Sequence, residues 1–350
     1  MIDYIIVGAG LAGISFAELA LKNDKKVIVF DNDSQNSSRI AGGLYNPVIL
    51  KRFTEVWDAE NQLKEMADFY DSLKDNFSVT FDNRLPIYRK FFSIEEQNNW
   101  FLASDKKLLS PFLSTTIKFS NYKGINAPYG YGEVLQTGYV DTALLLQYYR
   151  EFLRKSGMFC NEVFNYSALS FTTDEVEYNG AKAKHIIFAE GFGLHNNPYF
   201  NFLPLDGTKG ELFIIKAPDL AIDVIVNTSV FILPLGDGLF KVGATYNWKD
   251  KTDLPTEGGR MELLERIQEI INCDFEVIEH FAGVRPTVRD RRPLVGTHDV
   301  YPQLHILNGL GTRGVMLGPS MAKTLYNHIE YKMPLQPEIN WVRFLKKFKK

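Results

Sequence analysis

Residues 4–13 read Tyr4-Ile5-Ile6-Val7-Gly8-Ala9-Gly10-Leu11-Ala12-Gly13, a short apolar run that leads directly into a glycine-rich loop. The apolar, largely β-branched run is typical of a buried strand in a parallel sheet. Residues 14–22 follow with the pattern of a helix, and residues 27–30 form a second apolar run that ends at Asp31. The stretch therefore predicts a strand, a glycine loop, a helix and a second strand, which together make a βαβ unit.

The glycine loop fits the pattern G-x-G-x-x-G, in which each glycine has its own part in binding a dinucleotide. Gly8 allows the tight turn, Gly10 leaves room for the pyrophosphate, and Gly13 lets the helix pack closely on the strand. The start of the helix offers free N–H groups and a positive dipole end to the phosphates. Asp31 can accept both ribose hydroxyls, and its charge disfavours the 2′-phosphate of NADP. The alternative is a glycine-rich turn in an ordinary βαβ unit, but here every part of the fingerprint is present.

The composition is that of an ordinary globular protein. The 350 residues are enough for two domains, and 45% of them are hydrophobic and 23% charged, with a net charge of −3. No bulk positive charge recruits nucleic acid. Cys160 and Cys273 lie far apart in sequence, which favours core positions over a disulfide or a metal site. The first strand begins by Tyr4, which leaves no room for a signal peptide, and no apolar run is long enough for a membrane span. A cytoplasmic protein is the expectation.

A second glycine loop, at residues 309–314, reads Gly-Leu-Gly-Thr-Arg-Gly and precedes another helix. A second dinucleotide unit would need a further strand ending in an acid or an arginine, but the chain reaches Pro334 and ends sixteen residues later. The loop is therefore expected to serve the first cofactor from its other end. A helix start that faces a developing anion suits a flavin, whose reduced form carries negative charge near N1 and O2. We predict noncovalent FAD, with its isoalloxazine near residues 311–316, in an oxidase or dehydrogenase.

The remaining segments predict the α/β class, with two discontinuous domains. A Rossmann-like FAD-binding domain is predicted at residues 1–54, 137–206 and 280–333. A second, substrate-facing domain is predicted at residues 55–136 and 207–279, built on a mixed, mostly antiparallel β-sheet plus helices. Within it, Asp237-Gly238 is a strong hairpin signal. Residues 334–350 form a basic, amphipathic tail that could touch a membrane or RNA, or simply pack on the body.

Several short motifs are spread along nearly the whole chain. They are Gly8–Gly13 with Asp31, Ser37-Ser38 with Ala41-Gly42-Gly43, Ala189-Glu190-Gly191, Gly243-Ala244-Thr245, Gly283-Val284-Arg285-Pro286 and Gly311–Pro319. This series resembles the D-amino-acid oxidase (DAO) superfamily of FAD-dependent oxidoreductases, which includes glycine oxidase and sarcosine oxidase. Residues 42–47, 283–290 and 310–314 most resemble the oxidase half of the bifunctional wobble-uridine tRNA-modification enzyme. That half oxidatively removes a carboxymethyl group from a secondary amine.

The resemblance implies an FAD-dependent amine or amino-acid oxidase or dehydrogenase. It would remove hydride from the C–H next to a primary or secondary amine in an N-substituted glycine-like or amino-acid-like group. The expected partners are a small-molecule amine or modified-nucleoside substrate, and oxygen or an electron carrier; tRNA is possible, although the net charge does not indicate it. Two alternatives remain: a flavin-binding accessory protein of tRNA modification without turnover, and an NAD(P)H-using flavin hydroxylase.

The resemblance also assigns the site. In the superfamily the arginine that corresponds to Arg285 binds the substrate carboxylate. The alternative is that Arg285 forms a surface salt bridge. The amino-acid oxidases resembled place a tyrosine where this chain has Phe231. Tyr246 is a possible replacement, although an ordinary strand aromatic is an equal alternative, so Arg285 and Tyr246 are the predicted catalytic residues. Lys209 is expected to be a solvated turn residue, with contact to the flavin or the substrate as the alternative. No histidine has the spacing of a metal ligand. The predicted FAD-binding residues are Gly8, Ala9, Gly10, Leu11, Ala12, Gly13, Asp31, Ser38, Ala41, Gly42, Gly43, Val163, Ala189, Gly191, Arg285, Gly311, Thr312, Arg313, Gly314, Val315 and Met316.

Overall fold

The amino-terminal βαβ unit forms as expected in the computed structural model, which describes residues 1–172 and 175–345. The strands are β1 (Ile2–Val7), β2 (Val27–Asp31), β3 (Leu44–Tyr45), β4 (Val48–Ile49), β5 (Thr54–Glu55), β6 (Asp82–Arg84), β7 (Ile87–Lys90), β8 (Leu113–Lys118), β9 (Tyr131–Val134), β10 (Gly138–Val140), β11 (Phe159–Asn161), β12 (Leu169–Phe171), β13 (Val176–Tyr178), β14 (Ala181–Phe188), β15 (Thr208–Lys216), β16 (Ile225–Asn227), β17 (Phe231–Gly236), β18 (Leu239–Gly243), β19 (Glu276–Arg285), β20 (Leu294–Thr297) and β21 (Leu304–Asn308). The α-helices are α1 (Leu11–Lys22), α2 (Ser37–Ile40), α3 (Ala59–Phe77), α4 (Ile94–Ser104), α5 (Thr142–Lys155), α6 (Glu257–Gln268) and α7 (Gly314–Tyr331). Short 3₁₀ turns lie at Tyr166–Ala168, Gly191–Asn196 and Trp341–Phe344.

The first sheet is parallel at its centre, where β11, β2, β1, β14 and β21 lie side by side in that order. Strands β13, β12 and β20 continue it in antiparallel pairs. The apolar run of β1 is buried, as the central strand of such a sheet must be. Helices α1 and α7 pack against each other, and α3 packs against α7. The carboxyl ends of β1, β14 and β21 therefore meet at one edge, which is where ligands bind in open α/β sheets.

The second sheet has the order β19-β15-β18-β17-β16-β7-β9-β8. All its neighbours are antiparallel except the β16–β7 pair, so the sheet is mixed and mostly antiparallel, as predicted. Asp237 and Gly238, with φ of 51° and 71°, form the turn between β17 and β18. The fold class predicted from the sequence is confirmed.

Strand β19 crosses the predicted domain boundary at residue 280. It pairs with β15 from Glu276 to Arg285, so residues 280–285 lie in the second sheet and not with the FAD-binding segment. The rest of the domain division stays a proposal. Helix α3 begins only at Ala59, because Thr54 and Glu55 pair with Ile49 and Val48 in a small separate sheet.

The described part of the carboxyl-terminal tail packs on the body. Trp341 and Phe344 are buried in the apolar cluster beside the first sheet, and the Trp341 indole donates a hydrogen bond to the Thr297 carbonyl at 2.9 Å. The basic end of the predicted tail, residues 346–350, lies outside the described residues. No helix within the described residues is long and apolar enough to cross a bilayer. Cys160 and Cys273 are free thiols, but they are only half-buried and are not the core residues expected.

Two histidines from neighbouring strands pair inside the first sheet. His305 Nε2 lies 3.0 Å from His185 Nδ1, and its Nδ1 lies 2.9 Å from the Thr297 hydroxyl. Burial lowers the pKa of His185 to about 4 and lowers the pKa of His305 as well. Both rings are therefore neutral near pH 7.

Candidate functional site

A cleft of about 490 Å³ is lined both by the loops at the edge of the first sheet and by residues of the second sheet. Most predicted FAD-binding residues meet in it, although they come from segments far apart in the chain. Those that line the cleft are Gly8, Gly10, Leu11, Ala12, Asp31, Ser38, Ala41, Gly42, Gly43, Val163, Ala189, Gly191, Arg285, Gly311, Thr312, Arg313, Gly314, Val315 and Met316. Ala9 and Gly13 are not part of the lining and lie buried behind it.

The geometry of the first loop fits a bound pyrophosphate. Gly8 has φ +102°, and a Cβ there would lie 2.5 Å from the Ala189 carbonyl oxygen. A Cβ at Gly13 would lie 1.8 Å from the Gly8 carbonyl oxygen, so the close packing needs glycine. A Cβ at Gly10 would meet only the Ser38 side chain, at 3.2 Å, and would project into the space where the phosphates are expected.

Asp31 is fixed by an arginine that the sequence analysis missed. Its Oδ2 accepts hydrogen bonds from the Ala9 N–H and, at 3.0 Å, from Arg150 Nη2, and its Oδ1 accepts one from the Asp33 N–H at 2.8 Å. Arg150 lies on α5 and also donates to the Ala9 carbonyl at 3.2 Å. It thus ties the glycine loop to the end of β2. Asp31 still lines the cleft, where it can accept ribose hydroxyls.

Glu190, between Ala189 and Gly191, is an acid beside the expected phosphates. Its carboxyl group accepts hydrogen bonds from the Tyr166 hydroxyl and, at 2.8 Å, from Asn197 Nδ2. Burial raises the pKa of Glu190 to about 7. A carboxyl group that is partly protonated at pH 7 repels phosphates less, so this residue is compatible with a dinucleotide.

The second glycine loop brings the start of α7 to the same cleft. A Cβ at Gly314 would lie 2.9 Å from Leu11 Cδ1, so the first turns of α1 and α7 lie side by side. Both helix starts line the cleft, and their positive dipole ends face it. Both glycine loops thus line one cleft, and their service to a single cofactor stays a prediction.

Arg285 lies at the end of β19 and faces the cleft. Its Nη1 donates to the Thr245 carbonyl at 3.2 Å, and its Cζ lies 4.6 Å from the centre of the Tyr246 ring. Gly210 makes room for it, because a Cβ there would lie 2.0 Å from Nη2. Burial lowers the pKa of Arg285, but an arginine stays charged in a protein. Arg285 makes no salt bridge with any residue in ranges 1–172 and 175–345, so the surface ion pair considered from the sequence is absent from the described structure.

The two predicted catalytic residues therefore meet, and Phe231 contributes only apolar surface. The Phe231 ring lies against Gly42, where a Cβ would approach its Cζ to 2.6 Å. Arg313 lies near Tyr246, Arg291 and Arg292; burial lowers the pKa of its guanidinium, and the two arginines lower it further. The sequence indicates a cofactor role for Arg313 but gives no sign of these neighbours.

Lys209 is neither in a solvated turn nor in the cleft lining. It lies on β15 and is 0% exposed, and its Nζ lies 2.5 Å from Asp250 Oδ2 and 3.1 Å from the Thr252 hydroxyl. Nζ also donates to the Leu254 carbonyl. The hydrogen bond from Lys209 lowers the pKa of Asp250 to about 2. These contacts fasten the loop that follows Tyr246 to the second sheet.

Comparison with known proteins agrees with this geometry. The glycine oxidase of Bacillus licheniformis is 22% identical over an alignment of 361 positions, gaps included, which covers 93% of this chain and 92% of that protein. The tRNA 5-methylaminomethyl-2-thiouridine biosynthesis bifunctional protein MnmC of Marinobacter nauticus is 26% identical over 140 residues, 36% of this chain but only 22% of that protein. The crystal structure of iminodiacetate oxidase (IdaA) from Chelativorans sp. BNC1 has a TM-score of 0.77 at 19% identity and covers 97% of this chain and 99% of that one.

The family described as DAO, FAD dependent oxidoreductase, matches residues 3–327. The resemblance to glycine oxidase and to the bifunctional tRNA-modification protein is confirmed. The predictions of noncovalent FAD and of an FAD-dependent amine or amino-acid oxidase are confirmed as well, because the chain belongs to the DAO family of FAD-dependent oxidoreductases.

Proposed function

We propose that the protein oxidises an amine that carries a carboxylate, at the carbon next to nitrogen in an N-substituted glycine or a related amino acid. Arg285 is the observation that carries this proposal. It is a cation that faces the cleft beside the FAD-binding loops and has no acidic partner among the described residues. The names of the related glycine oxidase and iminodiacetate oxidase refer to amines of this class.

The residues around Arg285 would hold the substrate in place for reaction. The planar guanidinium suits a two-point bond to a carboxylate, and the Thr245 carbonyl and the Tyr246 ring hold it in place. FAD, when bound, would supply a hydride acceptor, and its electrons would later pass to oxygen or an electron carrier. The C–H bond breaks with its electron pair, the C–N bond becomes an iminium, and water then releases an amine and an oxoacid. Hydride transfer from a neutral amine depends more on the position of its C–H bond than on a catalytic base.

Arg285→Ala is expected to raise the amine concentration for half-maximal flavin reduction at least about tenfold, which corresponds to ~1.4 kcal/mol. A charge-assisted bond to a carboxylate contributes about that much or more. Arg285→Lys should give a half-saturating amine concentration between those of the wild type and Arg285→Ala, since lysine keeps the charge but lacks the planar, two-point guanidinium. The measurement is the rate of flavin bleaching after anaerobic mixing with sarcosine and other N-substituted glycines, together with the FAD content of each variant.

Arg289→Ala is the matched control, because Arg289 is exposed and its Nε lies 3.3 Å from Asp206 Oδ2, away from the cleft lining. It should leave half-saturation unchanged. If Arg285→Ala also leaves it unchanged, the carboxylate assignment fails and the substrate belongs among amines without an acid group. Bleaching by NADPH alone would instead favour a flavin hydroxylase.

A modified nucleoside in tRNA is the second candidate substrate, and two arginine–tryptophan pairs favour it. The Arg291 Cζ lies 5.9 Å from the Trp248 ring, and the Arg292 Cζ lies 5.2 Å from the Trp57 ring. Trp248 is 47% exposed, whereas Trp57 is half-buried. An exposed aromatic ring such as that of Trp248 can stack on a base, and arginines bind phosphates. The related MnmC protein is named for tRNA modification.

We expect Trp248→Ala to raise, at least about fivefold, the concentration of an oligonucleotide carrying 5-carboxymethylaminomethyluridine that gives half-maximal flavin bleaching, because base stacking is worth about 1–3 kcal/mol. Bleaching by sarcosine should not change. The measurement compares the two substrates on each variant at fixed salt. Equal losses for both would show that Trp248 serves the pocket in general, and no bleaching by the oligonucleotide would remove this candidate.

A further inference from the structure

We propose that the substrate carries a second anionic group, which Arg313 binds, so that the enzyme prefers amine dicarboxylates to amine monocarboxylates. The inference rests on the proposed function, in which Arg285 binds the first carboxylate. It concerns a side chain that the sequence assigned only to the cofactor.

The distribution of charge in the cleft is the first argument. The acids of its lining are Asp31, Glu162 and Glu190, which follow strands of the first sheet and belong to the nucleotide side. The lining that comes from the second sheet contains no aspartate or glutamate within the described residues. Two cations, Arg285 and Arg313, therefore line the cleft, and neither forms an ion pair with an acid among the described residues.

The surroundings of Arg313 are the second argument. The described residues offer its guanidinium no ion pair and no hydrogen bond, whereas Arg285 at least donates to the Thr245 carbonyl. Arg291 and Arg292 lie near it and add positive charge, which makes the charged form of Arg313 still less favourable. An unpaired, partly desolvated guanidinium is costly unless a ligand supplies the opposite charge.

Tyr246 lines the same cleft as the two cations. Its ring lies 4.6 Å from the Arg285 Cζ. A monocarboxylate balances one of the two charges, whereas a molecule with carboxylates on both sides of its nitrogen balances both. The chemical class is an amine with an acidic group on each arm.

Two unreactive ligands that differ only in the second carboxylate test the proposal: thiodiacetate and (methylthio)acetate, in which sulfur replaces the amine nitrogen. Their dissociation constants are measured from the change in flavin absorbance on the FAD-loaded protein. We expect thiodiacetate to bind at least about tenfold more tightly. Arg313→Gln should reduce this ratio to about one and change the (methylthio)acetate constant less than twofold, whereas Arg313→Lys should keep part of the preference. Arg289→Gln, outside the cleft, should keep all of it.

Longer thioether dicarboxylates, with one or two added methylenes on one arm, test whether Arg313 requires a greater distance between the two carboxylates. A ligand with a phosphonate in place of one carboxylate tests whether Arg313 prefers a phosphate-type group. The proposal is overturned if no dianion binds more tightly than (methylthio)acetate, or if Arg313→Gln leaves the ratio intact. A shift of the flavin reduction potential with an unchanged ratio would assign Arg313 to the cofactor instead. Failure of the proposed function looks different: Arg285→Ala would then leave the (methylthio)acetate constant unchanged.

Discussion

Replacing Gly13 with alanine is expected to give a protein that retains less than about a tenth of the FAD bound by the wild type. The new Cβ would lie 1.8 Å from the Gly8 carbonyl oxygen, which belongs to the backbone and cannot rotate away. Helix α1 would have to move off β1, and the loop and helix start that face the phosphates would move with it. A displacement that weakens binding by ~1.4 kcal/mol already lowers affinity tenfold. The measurement is the ratio of flavin to protein after purification, with FAD titration of the purified variant.

Gly258→Ala provides the control, since it is also a glycine within a helix but a Cβ there would meet nothing within 4 Å. It should keep its FAD and be at least as stable as the wild type, because alanine favours helix over glycine. Circular dichroism would show whether Gly13→Ala still folds. Full FAD retention in a folded Gly13→Ala protein would contradict the packing argument for the first loop.

Lys209→Met is expected to lower the free energy of unfolding by about 3–5 kcal/mol, the usual cost of removing one partner from a buried ion pair. The Lys209 side chain is 0% exposed and its loss would leave Glu211, which is 3% exposed, without the nearby cation. Asp250 would lose its partner as well. The measurement is denaturant unfolding of the FAD-loaded protein, followed by circular dichroism.

Lys123→Met is the matched comparison, because Lys123 and Asp219 are separated by the same 2.5 Å but are 69% and 64% exposed. Exposed ion pairs contribute little, so this variant should unfold like the wild type. If the two variants lost the same stability, burial would not be what makes the Lys209 contact important.

The nucleotide half of the site was predictable because its requirements are local. Gly8, Gly10 and Gly13 lie within six residues, and each answers a steric demand that a side chain would violate. Asp31 follows from the length of one helix and one strand. The second loop was predictable for the same reason, since its glycines directly precede α7.

Other parts of the structure depend on contacts between distant segments, which the sequence does not display. Arg150 reaches Asp31 across 119 positions, and nothing in its helical neighbourhood indicates that it does. The burial of Lys209 depends on Asp250, 41 positions later in an irregular loop. The sheet that residues 280–285 join could not be predicted, because the apolar pattern of β19 gives no sign of which sheet the strand pairs with.

The pair of neutral histidines in the first sheet has a consequence for handling the protein. The pKa of His185 lies near 4 in the folded chain and at 6.5 in an ordinary one, so the unfolded chain binds more protons between these values. The contribution of the pair to stability is complete above pH 6.5 and is lost as the pH falls toward 4. Acid extraction of the flavin would therefore charge the interior of the sheet that binds it. Apoprotein suited to reconstitution should be sought by dialysis at neutral pH against a chaotropic salt, and acid-treated material should regain less FAD.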